Sequence, residues 1–123
     1  MKRILIVEDD LQIQDIFKIV FEIYGYQVEC MDNAKGLYER KADFPDAIIL
    51  DKQLPGIDGV EACQFLKSQA VTKDIPVILI TASLGIAKAA KIAGADDYFE
   101  KPFDMHTILK RVSVLIEKNG HPS

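Results

Sequence analysis

The sequence predicts an α/β fold: a five-stranded, doubly wound parallel sheet in the order 2-1-3-4-5, with helices on both faces. Two observations carry this expectation. Residues 4–7, 47–50 and 77–80 form short runs rich in Ile, Val and Leu that are apolar throughout rather than at alternate positions, as strands covered on both faces require. Segments with apolar residues at helical spacing lie between the runs, and strict alternation of strand and helix is the pattern of a parallel sheet joined by crossovers. For five such units the order 2-1-3-4-5 is expected, with ligands bound beyond the carboxyl ends of the strands, at the switch point between strands 1 and 3.

Residues 4–7 make the first strand. Ile13, Ile16, Phe17, Val20, Phe21 and Tyr24 then follow the i, i+3, i+4 spacing of a helix, which Gly25 is placed to end. Gln27–Met31 alternates polar and apolar residues and reads as a strand at the sheet edge. A short helix is expected from about residue 33 to residue 41, with Leu37 and Tyr38 inward. The third strand, at 47–50, leads through the turn formers Pro55, Gly56, Ile57, Asp58 and Gly59 into a helix over 60–68. The fourth strand, at 77–80, precedes an alanine-rich helix over Ile86–Ala93, stopped by Gly94. Tyr98 and Phe99 mark a weaker fifth strand. Met105, Ile108, Leu109, Val112, Leu115 and Ile116 share one stripe of the last helix, and Asp104 is its expected N-cap. No shift in composition marks a linker, so residues 1–123 read as one domain whose tail frays from about residue 119.

Composition narrows the function classes. Hydrophobic residues make up 49% and charged residues 28% of the chain, an ordinary balance for a globular domain. A net charge of −4 argues against nucleic acid or an anionic membrane surface as a direct partner. Cys30 and Cys63 have no neighbouring Cys or His at metal-ligand spacing and read as reduced thiols. Met1, Lys2 and Arg3 precede an apolar stretch that stops at Glu8, too short for a signal peptide. With no run long enough for a membrane helix, the expected location is the cytoplasm.

The chemistry collects where the strands end. Strand 1 runs out in Glu8, Asp9 and Asp10, strand 3 in Asp51, strand 4 in Thr81, and strand 5 in Lys101 and Pro102. Singly, each is the kind of residue that carries a strand end into water. A parallel sheet, however, gathers all these ends on one edge. Two carboxylates about 5 Å apart at an effective dielectric near 20 repel by roughly 3 kcal/mol, so Glu8, Asp9 and Asp51 together call for a proton or a cation. All-oxygen ligation suits Mg²⁺, which keeps waters and often meets a phosphate. Opposite stand the Thr81 hydroxyl, the Ala82 N–H and the Lys101 ammonium, donors fit for the oxygens of a tetrahedral dianion. Phosphoryl transfer asks a protein chiefly for positioning and charge neutralisation, and a carboxylate can be its nucleophile. Asp51, central among the strand ends, is the best-placed acceptor.

The constellation resembles the receiver domains of two-component response regulators. Its carriers are residues 4–10, the segment from Ile48 to Asp51 and on through residues 54–59, then Ile80, Thr81 and Ala82, and finally residues 94–98 with Lys101, Pro102 and Phe103. The resemblance covers nearly the whole chain. It implies that Asp51 accepts a phosphoryl group from a phosphohistidine on a sensor histidine kinase or a histidine phosphotransfer protein. It further implies that Asp9, Asp51 and the Gln53 backbone carbonyl bind Mg²⁺, with Glu8 acting through a metal-bound water. Thr81 and the Ala82 N–H would hold one phosphoryl oxygen and Lys101 another. Thr81 and Tyr98 would form the switch that alters a partner-binding surface, and the Lys101–Pro102 bond would be cis. The protein would then be a signalling phosphoacceptor, catalysing only its own phosphorylation and slow dephosphorylation. Its output partner, and whether it is a monomer or a weak dimer, stay open.

Several residues have plainer readings. Tyr98 reads equally well as edge-strand packing, Asp10 as a helix-capping carboxylate, and His106 as a surface residue. His121 carries no signal. The segment from Thr81 to Lys101 is shorter than the commonest family spacing, with the loss falling at residues 83–88. Lys52 follows the acceptor where an apolar residue is more usual, and Gln53 and Ser83 hold positions that tune phosphoryl lifetime in the family. A metal-dependent phosphohydrolase with an aspartyl nucleophile is the alternative of another class. It needs a second Asp two residues beyond the nucleophile, and Gln53 stands there. A flavin-binding domain on the same sheet would set acidic strand ends against its phosphate. No glycine-rich P-loop is present.

Overall fold

The structure is a computed structural model and describes residues 1–82 and 85–119. In chain order the elements are β1 (Arg3–Val7), α1 (Leu11–Ile23), β2 (Gln27–Met31), α2 (Lys35–Glu39), β3 (Ala47–Asp51), α3 (Gly59–Ser68), β4 (Val77–Thr81), α4 (Ile86–Ala93), β5 (Asp97–Glu100) and α5 (Met105–Asn119). The strands form one sheet in the order β2-β1-β3-β4-β5, and every neighbouring pair is parallel. Fold class and strand order are as the sequence predicts.

The pleat explains the continuous apolar runs. Ile4 and Ile6, Ala47 and Ile49, and Ile78 and Ile80 join Phe17 and Phe21 of α1 and Ile108, Val112 and Leu115 of α5 in one core layer. The intervening residues Leu5, Val7, Ile48, Leu50, Val77 and Leu79 pack on the other face with Leu37, Cys63, Leu66 and Ala90 from α2, α3 and α4. Burying one such large side chain contributes about 1.5–3 kcal/mol, so a slip in register would be costly on both faces at once. β2 and β5 lie at the edges, where exposed residues largely alternate with partly buried ones.

Helix ends follow local chemistry. Asp10 N-caps α1, its carboxylate accepting from the N–H groups of Gln12 at 2.9 Å and Ile13 at 3.3 Å, and Gly25 ends the helix with a φ of +91°. α1 thus begins two residues before its first periodic apolar residue. Its stripe is also narrower than expected: Phe17 and Phe21 are buried, while Ile16 and Tyr24 lie open to solvent. α2 is shorter than the predicted 33–41. At its start the Asn33 side chain accepts from the Lys35 N–H at 2.9 Å, holding Asn33 outside the helix. At its end Arg40 turns extended, and its guanidinium bonds the Asp43 carbonyl and pairs with Glu29. Asp104 accepts from the His106 N–H at 2.8 Å, as its expected capping role requires. Ser83, His121 and the rest of the expected frayed tail lie outside the described residues.

Candidate functional site

The hydrogen-bond ladder runs past the strands and holds the residues that follow them. Glu8 N–H donates to the Met31 carbonyl at 2.9 Å, Lys52 N–H to Ile80 at 2.8 Å, and Lys101 N–H to Thr81 at 2.7 Å. Strand parity then aims the side chains. Glu8 continues the phase of Ile4 and Ile6, and Asp51 that of Ala47 and Ile49, so both carboxylates leave the sheet on the face covered by α1 and α5. Thr81 continues the phase of Val77 and Leu79 and leaves on the opposite face.

Glu8 and Asp51 are almost wholly buried, whereas Asp9 is exposed. One carboxylate oxygen from each of the three lies within 4.8 Å of the others. Between the two buried acids stands Lys101, whose Nζ donates to Asp51 Oδ2 at 2.8 Å and to Glu8 Oε1 at 2.9 Å. The other Asp51 oxygen, Oδ1, accepts from the Gln53 N–H at 2.8 Å, and Glu8 Oε2 accepts from the Asp10 N–H at 3.1 Å. Both ends of each buried carboxylate are therefore held, as buried charge requires.

One ammonium does not offset three carboxylates. Burial raises the Glu8 pKa to about 7, and its hydrogen bond with Asp51 adds to the rise, while Lys101 and the Asp10 N–H pull the other way. Glu8 thus relieves the crowding by taking a proton near neutral pH. At Lys101, burial works to lower the pKa, but the bonds with Asp51 and Glu8, together with their charges, outweigh it and raise it. An all-oxygen donor set with surplus negative charge and one solvent-facing member fits a hard divalent cation such as Mg²⁺.

The other wall is formed by Thr81 and Ala82. Thr81 Oγ1 and the Ala82 N–H both lie near Gln53 Oε1, at 3.3 and 3.4 Å. The structure thus brings Glu8, Asp9, Asp51, Gln53, Thr81, Ala82 and Lys101 to one sheet edge. Tyr98 stands apart, 40% exposed on the edge strand. The Lys101–Pro102 bond is cis. The His106 ring lies edge-on to the Tyr24 ring, with centroids 6.0 Å apart, and Lys52 reaches Asp58 at 3.5 Å.

One supporting residue, Gln14, escaped the sequence reading, and another, Gly59, was expected only as a turn former. Gln14, buried in α1, donates from Nε2 to the Glu8 carbonyl and, at 2.9 Å, to Asp32 Oδ1, tying α1 to the end of β1. A glutamine in helical phase with Phe17 and Phe21 was its signal. Gly59 opens α3 against the end of β3. A Cβ there would stand 2.1 Å from the Asp51 carbonyl oxygen and 2.7 Å from Lys52 Cα, so only glycine allows this approach. Gly59 N–H also donates to the Lys52 carbonyl at 2.8 Å.

Comparison with known proteins agrees with this geometry. A family model described as the response regulator receiver domain matches residues 4–113. The chain is 41% identical over 121 residues to the DNA-binding dual master transcriptional regulator RpaA of Synechocystis, covering 96% of this chain and 50% of that protein. It spans about half the length of the curated relatives it matches. Among solved structures, the receiver domain of a signal transduction histidine kinase from Syntrophus aciditrophicus superimposes with a TM-score of 0.90 at 31% identity, covering 100% of this chain and 96% of that one. The receiver domain of sensor histidine kinase PA1611 from Pseudomonas aeruginosa, with a magnesium ion coordinated in its active site cleft, gives a TM-score of 0.83 at 27% identity over 94% and 97% of the two chains.

Proposed function

The chain belongs to the response regulator receiver domains, and on that premise we propose that Asp51 accepts a phosphoryl group in a Mg²⁺-dependent reaction. The observation that carries this reading is the placement of Asp51: a buried carboxylate with one oxygen on a backbone N–H and the other on Lys101, within reach of two further acids. Asp9, Asp51 and the Gln53 carbonyl would hold the metal, with Glu8 acting through water. When bound, Mg²⁺ supplies the positive charge that offsets the carboxylates and the phosphoryl oxygens.

The protein's own part is positioning. An Asp51 oxygen attacks phosphorus as the P–N bond of a phosphohistidine breaks, and the departing imidazole keeps the electron pair. Lys101, already bonded to Asp51, follows the charge onto one phosphoryl oxygen. Thr81 and the Ala82 N–H donate to another. Adding a dianion in place of a single carboxylate charge pulls these donors inward, and Thr81 with Tyr98 would pass that movement to a partner surface. Slow loss of the phosphoryl group by self-catalysed hydrolysis belongs to the same proposal. Gln53 provides no second acid/base of the kind a phosphohydrolase uses for turnover.

The donor would be a histidine kinase or a histidine phosphotransfer protein. Its histidine has to reach Asp51, so its docking surface borders the site. Beside Lys101 lies an apolar groove of about 440 Å³ lined by Ile13, Ile16, Pro102, Phe103 and Met105. The exposed Ile19 and Ile23 extend the apolar surface along α1, an area a protein donor would cover. Direct contact with nucleic acid forms no part of this reading for the receiver segment; for RpaA, DNA binding is stated for the longer protein. Among the described residues no helix is long and apolar enough to cross a membrane, and a cytoplasmic location and a single domain over residues 1–123 are part of the proposal.

The test is incubation with Mg²⁺ and a small phosphodonor, followed by intact-mass measurement. One phosphoryl group should be added to the wild type and none to Asp51→Ala, nor to the wild type after chelation. Absence of label at every Mg²⁺ concentration defeats the reading, and many turnovers without accumulated label would make the protein a hydrolase.

A further inference from the structure

We propose that Gln14 is a positioning residue for the metal-binding edge, fixing the main chain that carries Asp9. The inference rests on the reading of Asp9 and Asp51 as Mg²⁺ ligands. Glu8 and Asp51 are buried, and each carboxylate is held at both oxygens. Asp9 is exposed, so the direction of its carboxylate is set first by the backbone. Two planar peptides flank the Asp9 Cα. The one after it is held through the Asp10 N–H, which donates to Glu8 Oε2 at 3.1 Å. The one before it is held through the Glu8 carbonyl, which accepts from Gln14 Nε2. With both planes fixed, the Asp9 Cβ is aimed at the cluster in which its oxygen lies within 4.8 Å of those of Glu8 and Asp51.

Gln14 can hold that peptide because its own place is decided by the core. It lies in helical phase with Phe17 and Phe21, both fully buried on α1, and its main-chain N–H donates to the Asp10 carbonyl at 3.0 Å. From the side chain, Nε2 donates a second hydrogen to Asp32 Oδ1 at 2.9 Å. The Glu8 carbonyl and the Asp32 carboxylate only accept, so the atom between them is the amide nitrogen, which has two hydrogens to give. Asp32 follows Met31, whose carbonyl accepts from the Glu8 N–H at 2.9 Å. The Glu8 main chain is thus tied to the end of β2 through its N–H, and to α1 and Asp32 through its carbonyl. Contacts one step behind a metal ligand alter metal affinity by roughly tenfold or more.

The test separates metal affinity from stability. Gln14→Met keeps the length of the side chain and removes both donor hydrogens. Asp32→Ala and Asp32→Asn change an exposed position; both lose the charge, but only Asn keeps an acceptor oxygen for Gln14. Each protein is titrated with Mg²⁺ by calorimetry at neutral pH, and its urea denaturation is followed without metal. Gln14→Met should bind Mg²⁺ roughly tenfold more weakly than the wild type while folded. Asp32→Ala should bind roughly threefold more weakly than Asp32→Asn. Wild-type Mg²⁺ affinity in Gln14→Met, whatever its stability, makes Gln14 a packing residue and overturns the proposal. A loss in Gln14→Met with equal binding by the two Asp32 variants upholds Gln14 and removes Asp32 from the arrangement. If Gln14→Met does not fold, the Asp32 pair decides, and equal affinity overturns the proposal. If the wild type itself takes up no Mg²⁺, the metal reading falls and the positioning role with it.

Discussion

Replacing Glu8 with Gln tests the electrostatics of the site most directly. Gln has the shape of protonated Glu and can still accept from Lys101. In the folded protein the Glu8 pKa rises from 4.5 to about 7, chiefly through burial. A folded-state pKa above the unfolded value means that the native state holds the proton more tightly. The associated stability is fully present below about pH 4.5 and is lost as pH rises through about 7. A displacement of that size corresponds to on the order of 3 kcal/mol, and with some water relaxing around the site we expect a loss of about 1–3 kcal/mol between pH 5 and pH 8. Urea denaturation of wild type and Glu8→Gln at several pH values, in the absence of divalent cations, isolates this group, because other titrations cancel in the difference. The variant should gain on the wild type as pH rises, and Mg²⁺ at pH 8 should restore the wild type more than the variant. Parallel pH profiles for the two proteins would refute charge crowding in the acidic cluster under these metal-free conditions.

Two further substitutions separate scaffold from docking surface. Gly59→Ala gains up to about 1 kcal/mol of helix propensity, but its Cβ would stand 2.1 Å from the Asp51 carbonyl oxygen. Backbone must shift, so a net loss of about 1–3 kcal/mol is expected, with slower labelling of Asp51; unchanged stability by urea denaturation would contradict the close approach. Ile19→Glu falls on an exposed position, so stability should change by no more than about 0.5 kcal/mol. Transfer from a phosphohistidine protein should slow by roughly tenfold, as loss of one well-placed apolar contact allows, whereas labelling by a small phosphodonor continues. Equal slowing with both donors would remove α1 from the docking surface.

Much of the site was legible because a parallel sheet turns sequence position into spatial position. Glu8, Asp51, Thr81 and Lys101 each follow an apolar run, and the crossover rule sends all such ends to one edge. The helix ends were legible in part. Gly25, Gly94 and Asp104 act where local chemistry places them, while α2 loses residues at both ends to side-chain contacts, one of them between Arg40 and Glu29 on a neighbouring strand. Apolar spacing in α1 overstated its buried stripe. Six residues fit the period, but the neighbours it packs against cover only part of that arc, leaving Ile16 and Tyr24 outside.

The sequence by itself determined the alternation of elements, the sheet order and the set of chemical groups at its carboxyl edge, because these follow from periodicity and from rules of chain connection. Only the tertiary structure decided which groups touch. It set Lys101 between Glu8 and Asp51, raised the Glu8 pKa by burial, placed Gln14 beneath the end of β1, and turned the Gln53 carboxamide onto Thr81 and Ala82. Such contacts join residues up to 93 positions apart. Their strength depends on distances of tenths of an ångström and on exclusion of water, quantities that exist only once both faces of the sheet have packed.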